Sequence, residues 1–331
     1  MNIIVQALKY TLALLVIMIV AGSGYQWFSA KADRADFPPP GELYSVDGLN
    51  IHLDCRGQGA PTVLLEAGLT FGSTSWGLVH DALALQTRTC AYDRPGIDWS
   101  EQTSTPLSAD RVADRLHKLI KLANLDGPLI LLGMSAGGVF VREYYARYPH
   151  QVVGMVLVDS SHEQQGNRLP SLGGTSELST ILTLCSWVQP LGIVRAFGLM
   201  DSLLDRYQLR ERQQQLLTAN VNQNHTCAAM LRESEGFNRE VFDIEPPASL
   251  GDLPLIVVSQ GKTPGADNEF GLPVNEALEM AAIWNELQSE LTQLSSIGSR
   301  RIATESGHVI QLEQPQIVID AVNELVASLR N

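Results

Sequence analysis

The chain has 331 residues, 45% of them hydrophobic and 18% charged, enough for one large globular domain or two small ones. Its formal net charge of −13 argues against nucleic acid or an anionic membrane surface as an electrostatic partner. Long single-sign charge runs and internal repeats are absent from the sequence.

The N-terminus differs from the rest. From Tyr10 to Phe28 the sequence carries no charge. As a helix this stretch is roughly the ~30 Å needed to cross a bilayer. Lys9 precedes it and Tyr25 and Trp27 stand near its far end, which predicts an anchor with the body of the chain on the exported side. A cleaved signal peptide, with Ala21 and Ser23 before the cut, is the alternative. In that case the body is secreted. Residues 1–30 are thus an anchor or signal segment. Residues 31–42, reading KADRADFPPPGE, form a polar, proline-rich linker unsuited to helix or sheet interiors.

Short β-rich runs follow: Leu43 to Val46, then Asn50 to Cys55 after the turn Asp47-Gly48, then Thr62 to Glu66 closed by Ala67-Gly68. Arg88 to Tyr92 is a further strand, after a helical segment from Trp76 to Leu85. Ser108 caps an amphipathic helix whose Val112, Leu116, Leu119 and Ile120 recur at helical spacing. The apolar run Leu129-Ile130-Leu131-Leu132 leads into Gly133-Met134-Ser135-Ala136-Gly137, and a helix-like stretch from Val139 to Tyr148 follows. Val152 to Val158 is a buried strand ending in Asp159. Later strands are Leu255 to Val258 and Arg301 to Ala303, with helical stretches from Glu276 to Leu294 and from Pro315 to Leu329. Alternating strand and helix predicts a mostly parallel sheet covered on both faces.

Residues 163–250 break the alternation with leucine-rich helical pieces and no convincing strand. They read as a helical cap over the carboxyl ends of the strands, where open α/β sheets bind ligands. The core is then residues 43–162 and 251–331. Leu182, Trp187, Ile193, Phe197 and Leu199 of the cap are expected to line an apolar substrate pocket.

The chemistry converges on residue 135. A serine in a tight strand-to-helix turn has its oxygen exposed above the sheet, but its hydroxyl needs a base and an orienting carboxylate to act as a nucleophile. Among seven histidines, His308 lies in Ser306-Gly307-His308-Val309-Ile310, just after the last strand and at the same end of the sheet. His52, His80, His117, His150 and His225 have no such placement. The carboxylate has two candidates. Asp159 ends the strand after the nucleophile helix, and it is preferred. Asp267 lies in the Gly/Pro loop beginning at Ser259. Backbone N–H groups of Leu69 and Ala136 are the expected donors to a developing oxyanion.

Cys55, Cys90, Cys185 and Cys227 show neither Cys-x-x-Cys nor zinc-ligand spacing, so neither metal nor cofactor is expected. Behind an export signal they suggest two disulfides, Cys55–Cys90 and Cys185–Cys227, against the alternative of four buried thiols.

Four motifs together resemble the α/β-hydrolase fold superfamily over roughly residues 42–331. They are Glu66-Ala67-Gly68-Leu69, Asp93-Arg94-Pro95-Gly96-Ile97-Asp98-Trp99-Ser100, Gly133-Met134-Ser135-Ala136-Gly137, and Gly307-His308 followed by Glu313-Gln314-Pro315. The resemblance implies an eight-stranded, mostly parallel sheet with helices on both faces, a helical cap, and acyl chemistry without a cofactor. Ala67 stands where the family usually has histidine, and Asp98 where glycine is common. The usual acid position after the strand Leu255 to Val258 lacks a carboxylate, while some members place the acid where Asp159 stands. Dehalogenases and epoxide hydrolases of this fold use an aspartate nucleophile. Serine at 135 instead implies cleavage of an apolar carboxylic ester or lactone, or an amide, through an acyl-enzyme. An acyltransferase with the same residues and a non-catalytic binding protein are the other classes considered.

Overall fold

The computed structural model describes residues 2–169, 174–205, 207, 209–240, 249–265 and 272–330. Eight strands form one sheet: β1 (Glu42–Val46), β2 (Leu49–Arg56), β3 (Thr62–Glu66), β4 (Thr89–Tyr92), β5 (Leu129–Met134), β6 (Val152–Val158), β7 (Leu255–Gln260) and β8 (Ser299–Ala303). Their spatial order is β1-β2-β4-β3-β5-β6-β7-β8. The first two pairings are antiparallel and the rest parallel.

Strands buried on both faces read as continuous apolar runs, and their side chains alternate between two cores. Leu129, Leu131, Met155, Leu157, Leu255 and Val257 face one core; Ile130, Leu132, Val156, Val158, Ile256 and Val258 face the other. The longer helices, in chain order, are α1 (Asn2–Asp36), α2 (Gly77–Leu83), α3 (Ala109–Leu122), α4 (Ala136–Arg147), then α5 (Gly174–Val188), α6 (Glu211–Val221) and α7 (Thr226–Glu240) in the insertion, and α8 (Val274–Thr292) and α9 (Pro315–Ser328). Leu116, Leu119 and Ile120 of α3, Tyr144 of α4 and Leu291 of α8 fill the first core. Val79 and Leu83 of α2 and Val318, Val322 and Leu325 of α9 fill the second.

Among the described residues, the insertion between β6 and β7 is helical. It meets the core beside the start of α4, where Phe237 of α7 packs edge-on against Phe140, with ring centroids 6.2 Å apart. Cys185 of α5 is bonded to Cys227 of α7, and Cys55 to Cys90 across the paired strands β2 and β4.

The linker expectation is corrected in part. α1 does not end near residue 30 but runs unbroken to Asp36. Its last turns are held by the body: Arg195 bonds Asp33 at 2.6 Å, Arg34 donates to Gln223 at 3.3 Å and to the carbonyl of Asp98 at 3.1 Å. Polar residues that looked like spacer are helical because their charges have partners. The expected apolar lining set divides as well. Leu182 is buried within the cap, whereas Trp187, Phe197 and Leu199 are more than half exposed on its outside, so the five do not enclose one pocket.

Candidate active site

The chain adds β3 and β4 on one side and then returns to lay β5 on the other side of β3. Ligands bind at the carboxyl ends of strands where the order reverses in this way. The loops after β3 and β5 both open there, with Glu66 opposite Gly133 in register.

Ser135 follows β5 directly and has φ 53°, ψ −124°, a region that L-residues rarely adopt. The turn is possible because its neighbours lack side chains. A Cβ on Gly137 would lie 2.5 Å from the carbonyl oxygen of Glu66, and one on Gly68 would lie 2.6 Å from Met134 Sδ and 3.2 Å from Ser135 Cβ. The loop after β3 therefore runs against the serine. Leu69, next to Gly68, packs on the small cluster that contains Ala136 and Val139. Ala136 begins α4, so its N–H lies in the first turn, where a helix has no internal acceptor for it.

Adjacent parallel strands then bring the carboxylate. Met134 pairs with Val158, the Ser135 N–H donates to the Val158 carbonyl at 3.0 Å, and Asp159 comes next. Asp159 is fully buried, with φ 41°. Its Oδ1 accepts from the Gln260 backbone N–H at 2.9 Å and from Trp284 Nε1 at 3.0 Å. Its Oδ2 lies 2.6 Å from His308 Nδ1. His308 arrives on the loop after β8, and its Nε2 lies 3.0 Å from Ser135 Oγ. An ionised carboxylate can only accept, so the proton sits on Nδ1, which leaves Nε2 to accept from the serine hydroxyl. The structure thus brings Ser135, His308 and Asp159 into one hydrogen-bonded line. Asp267 lies outside the described residues.

Several partners of this line were not read from the sequence. Trp284 of α8 holds Asp159 and meets the His308 ring edge-on at a centroid distance of 5.8 Å. Arg142, fully buried in α4, donates to Ser160 Oγ, the Ser161 carbonyl and Glu163, fixing the loop after β6. Arg94 is the corresponding clamp for the loop after β3. Its guanidinium donates to the carbonyls of Ala67, Gly68 and Phe71, and pairs with Glu66 and with Glu233 of α7, both at 2.7 Å. Glu233 also accepts from the Thr70 N–H at 2.8 Å. Burial pushes the Glu66 carboxyl up to about 7 against the opposing pull of Arg94. Asp93 orders its own loop by bonding His52 and the N–H groups of Ser73 and Trp99. Glu233 carried no signal in the sequence, since one glutamate in a polar helix looks like a solvated one.

Comparison with known proteins agrees with this architecture. A family model for the alpha/beta hydrolase fold matches residues 61–177. An uncharacterized protein of Schizosaccharomyces pombe is 30% identical over 191 residues; the match covers 48% of this chain and 35% of that protein, so the chain spans about a third of its relative. Among solved structures, a thermophilic esterase from Thermogutta terrifontis superposes with a TM-score of 0.60 at 17% identity, covering 87% of this chain and 97% of the esterase. An epoxide hydrolase from Bacillus megaterium gives a TM-score of 0.64 at 17% identity, over 86% of this chain and all (100%) of the other. At such identities the likeness is one of fold, and together with the sheet order and the family match over residues 61–177 it shows that the chain has the α/β-hydrolase fold.

Proposed function

We propose that the protein is a membrane-anchored serine hydrolase that cleaves carboxylic esters or lactones, with Ser135 as nucleophile, His308 as base and Asp159 as the carboxylate that orients it. The observation that carries this reading is the line Ser135 Oγ, His308 Nε2, His308 Nδ1, Asp159 Oδ2, with contacts of 3.0 and 2.6 Å. Ser135 Oγ attacks the carbonyl carbon while its proton passes to His308 Nε2. The oxygen that gains charge is held by the N–H groups of Leu69 and Ala136. Collapse expels the alcohol, which leaves with the proton from His308. Water then gives a proton to His308 and attacks the acyl-serine, releasing the acid and restoring Ser135. Three donors converge on the Asp159 carboxylate, which stabilises the imidazolium formed at each step.

The anchor reading rests on α1, whose apolar 18-residue window is fully exposed in the folded chain. Two disulfides and Lys9 ahead of the span support an exported body.

Turnover of short p-nitrophenyl esters by Ser135→Ala and His308→Ala tests the reading. Each variant is expected to lose several orders of magnitude in kcat with its melting temperature kept. Near-wild-type turnover by Ser135→Ala would remove the proposal.

A further inference from the structure

We propose that the outer face of the cap rests in the lipid leaflet from which α1 emerges, so that the cap is a second membrane contact. This rests on reading α1 as a bilayer span. The uncharged stretch between Lys9 and Lys31 is roughly 33 Å long as a helix, close to the ~30 Å hydrocarbon core. Residues 22 to 28 therefore lie in the outer half of the span. Tyr25, Trp27 and Phe28 are exposed there, as interfacial aromatics are.

The opposite side of the same turns is occupied by the cap. A stripe at helical spacing, Gly22, Gln26, Ala30 and Asp33, faces it. Gln26 is fully buried, donating to the Asn222 carbonyl at 2.7 Å and to Asn224 at 2.8 Å and accepting from Arg195 at 3.1 Å. Gly22 lies against the Leu191 backbone, and a Cβ on Gly192 would lie 3.1 Å from the Tyr25 ring. The segment from Gln189 to Ala196 is thus fixed beside the outer half of the span. Trp187 and Phe197 bracket that segment and are 71% and 75% exposed. Ile181 and Leu184, preceding Trp187 at three-residue spacing on α5, are each more than half exposed. Large apolar side chains grouped in this way mark an interaction surface. Their position beside a rigidly docked span selects lipid as the occupant, since a leaflet already surrounds α1 at that level.

The test uses the full chain reconstituted in phosphatidylcholine vesicles whose lipids carry bromine near the upper acyl carbons. Trp76 and Trp99 are buried in the body and Trp284 is half-buried beside Asp159, present unchanged in every variant, so Trp27 and Trp187 are the exposed reporters. Wild-type emission should be quenched, the Trp27→Phe variant should remain quenched, and the Trp27→Phe/Trp187→Phe variant should lose that component. Placing Phe197→Trp in the double variant should restore it, which keeps the test valid if position 187 tolerates no change. If Trp187 is reached by aqueous acrylamide and not by brominated lipid, the cap faces water and the inference falls while the anchor stands. If Trp187 is shielded from both quenchers, a second copy or another protein covers the face, which also overturns it. If wild-type emission is not quenched at all, the anchor reading fails and takes the inference with it.

Discussion

Along the carboxyl edge of the sheet, Ser135 and Asp159 end two neighbouring strands paired from Leu129 to Met134 and from Val152 to Val158. Their separation follows from the register, and both cores hold that register by apolar packing. The cap reaches the same edge by other means. Among the described residues, its ties include the Arg94–Glu233 pair, the Phe140–Phe237 contact, and the polar contacts of α1 with Asn222, Gln223 and Arg195. The difference is one of redundancy. A strand end has many contacts that each supply a little, whereas the cap hangs on a few buried polar groups whose loss leaves a charge unpaired. Substitutions on the sheet edge should therefore remove chemistry and spare the fold. Substitutions in the clamps should damage fold and chemistry together.

The largest separation of the two is expected at the carboxylate. Asp159→Asn keeps shape and removes charge, so kcat should fall by roughly 10³–10⁴ with little change in KM. Asp267→Asn should leave ester turnover unchanged. Steady-state kinetics on both variants decides the point, and a loss confined to Asp267→Asn would move the orienting role to that residue.

Next comes the clamp. Glu233→Ala removes one partner of the fully buried Arg94 and the acceptor of the Thr70 N–H. Denaturant unfolding should register a loss of about 3–5 kcal/mol. The loop bearing Leu69 loses its hold on the oxyanion, so kcat should fall by about 10²-fold in the surviving folded protein. Glu233→Gln, which can still bond Thr70, should recover part of both. A variant that kept full stability and full rate would show that the cap does not position the loop.

The smallest effect concerns the cap and pH. Burial, with Arg34 and Arg232 nearby, lowers His225 from the ordinary histidine value to about 4. Between the ordinary histidine value near 6.5 and about 4 the unfolded chain binds the extra proton and the folded chain does not. This group therefore contributes stability above that window that is lost as pH falls through it. Melting temperature measured from pH 7 to pH 4 should decline less steeply in His225→Gln than in the parent.

How much of this was legible in the sequence follows the same division. Ser135 was readable because it follows a local apolar run with glycines beside it, and His308 because it lies beside a glycine in the loop after the last strand. Asp159 was readable from its place at the end of the strand that follows the Ser135 helix, and because the loop after β7 offers no carboxylate before Asp267. Trp284, Gln260 and Glu233 approach from elements distant in sequence, and nothing in their neighbours distinguishes them from ordinary helix and strand residues. The exposed set on the cap was misplaced for a related reason. Leu182 and Trp187 share one helix, and hydrophobicity alone does not say which side meets the cap interior and which meets the surroundings. The extension of α1 to Asp36 was hidden because Asp33 and Arg34 find partners in Arg195, Gln223 and the Asp98 carbonyl, all far along the chain.

The central claim is that Ser135 becomes acylated under control of His308. Labelling with a fluorophosphonate probe, followed by peptide mass spectrometry, tests it most directly. The account predicts one modified peptide carrying the adduct on Ser135, with labelling abolished in Ser135→Ala and strongly slowed in His308→Ala. An adduct on another residue, or labelling that survives Ser135→Ala at the wild-type rate, would contradict it.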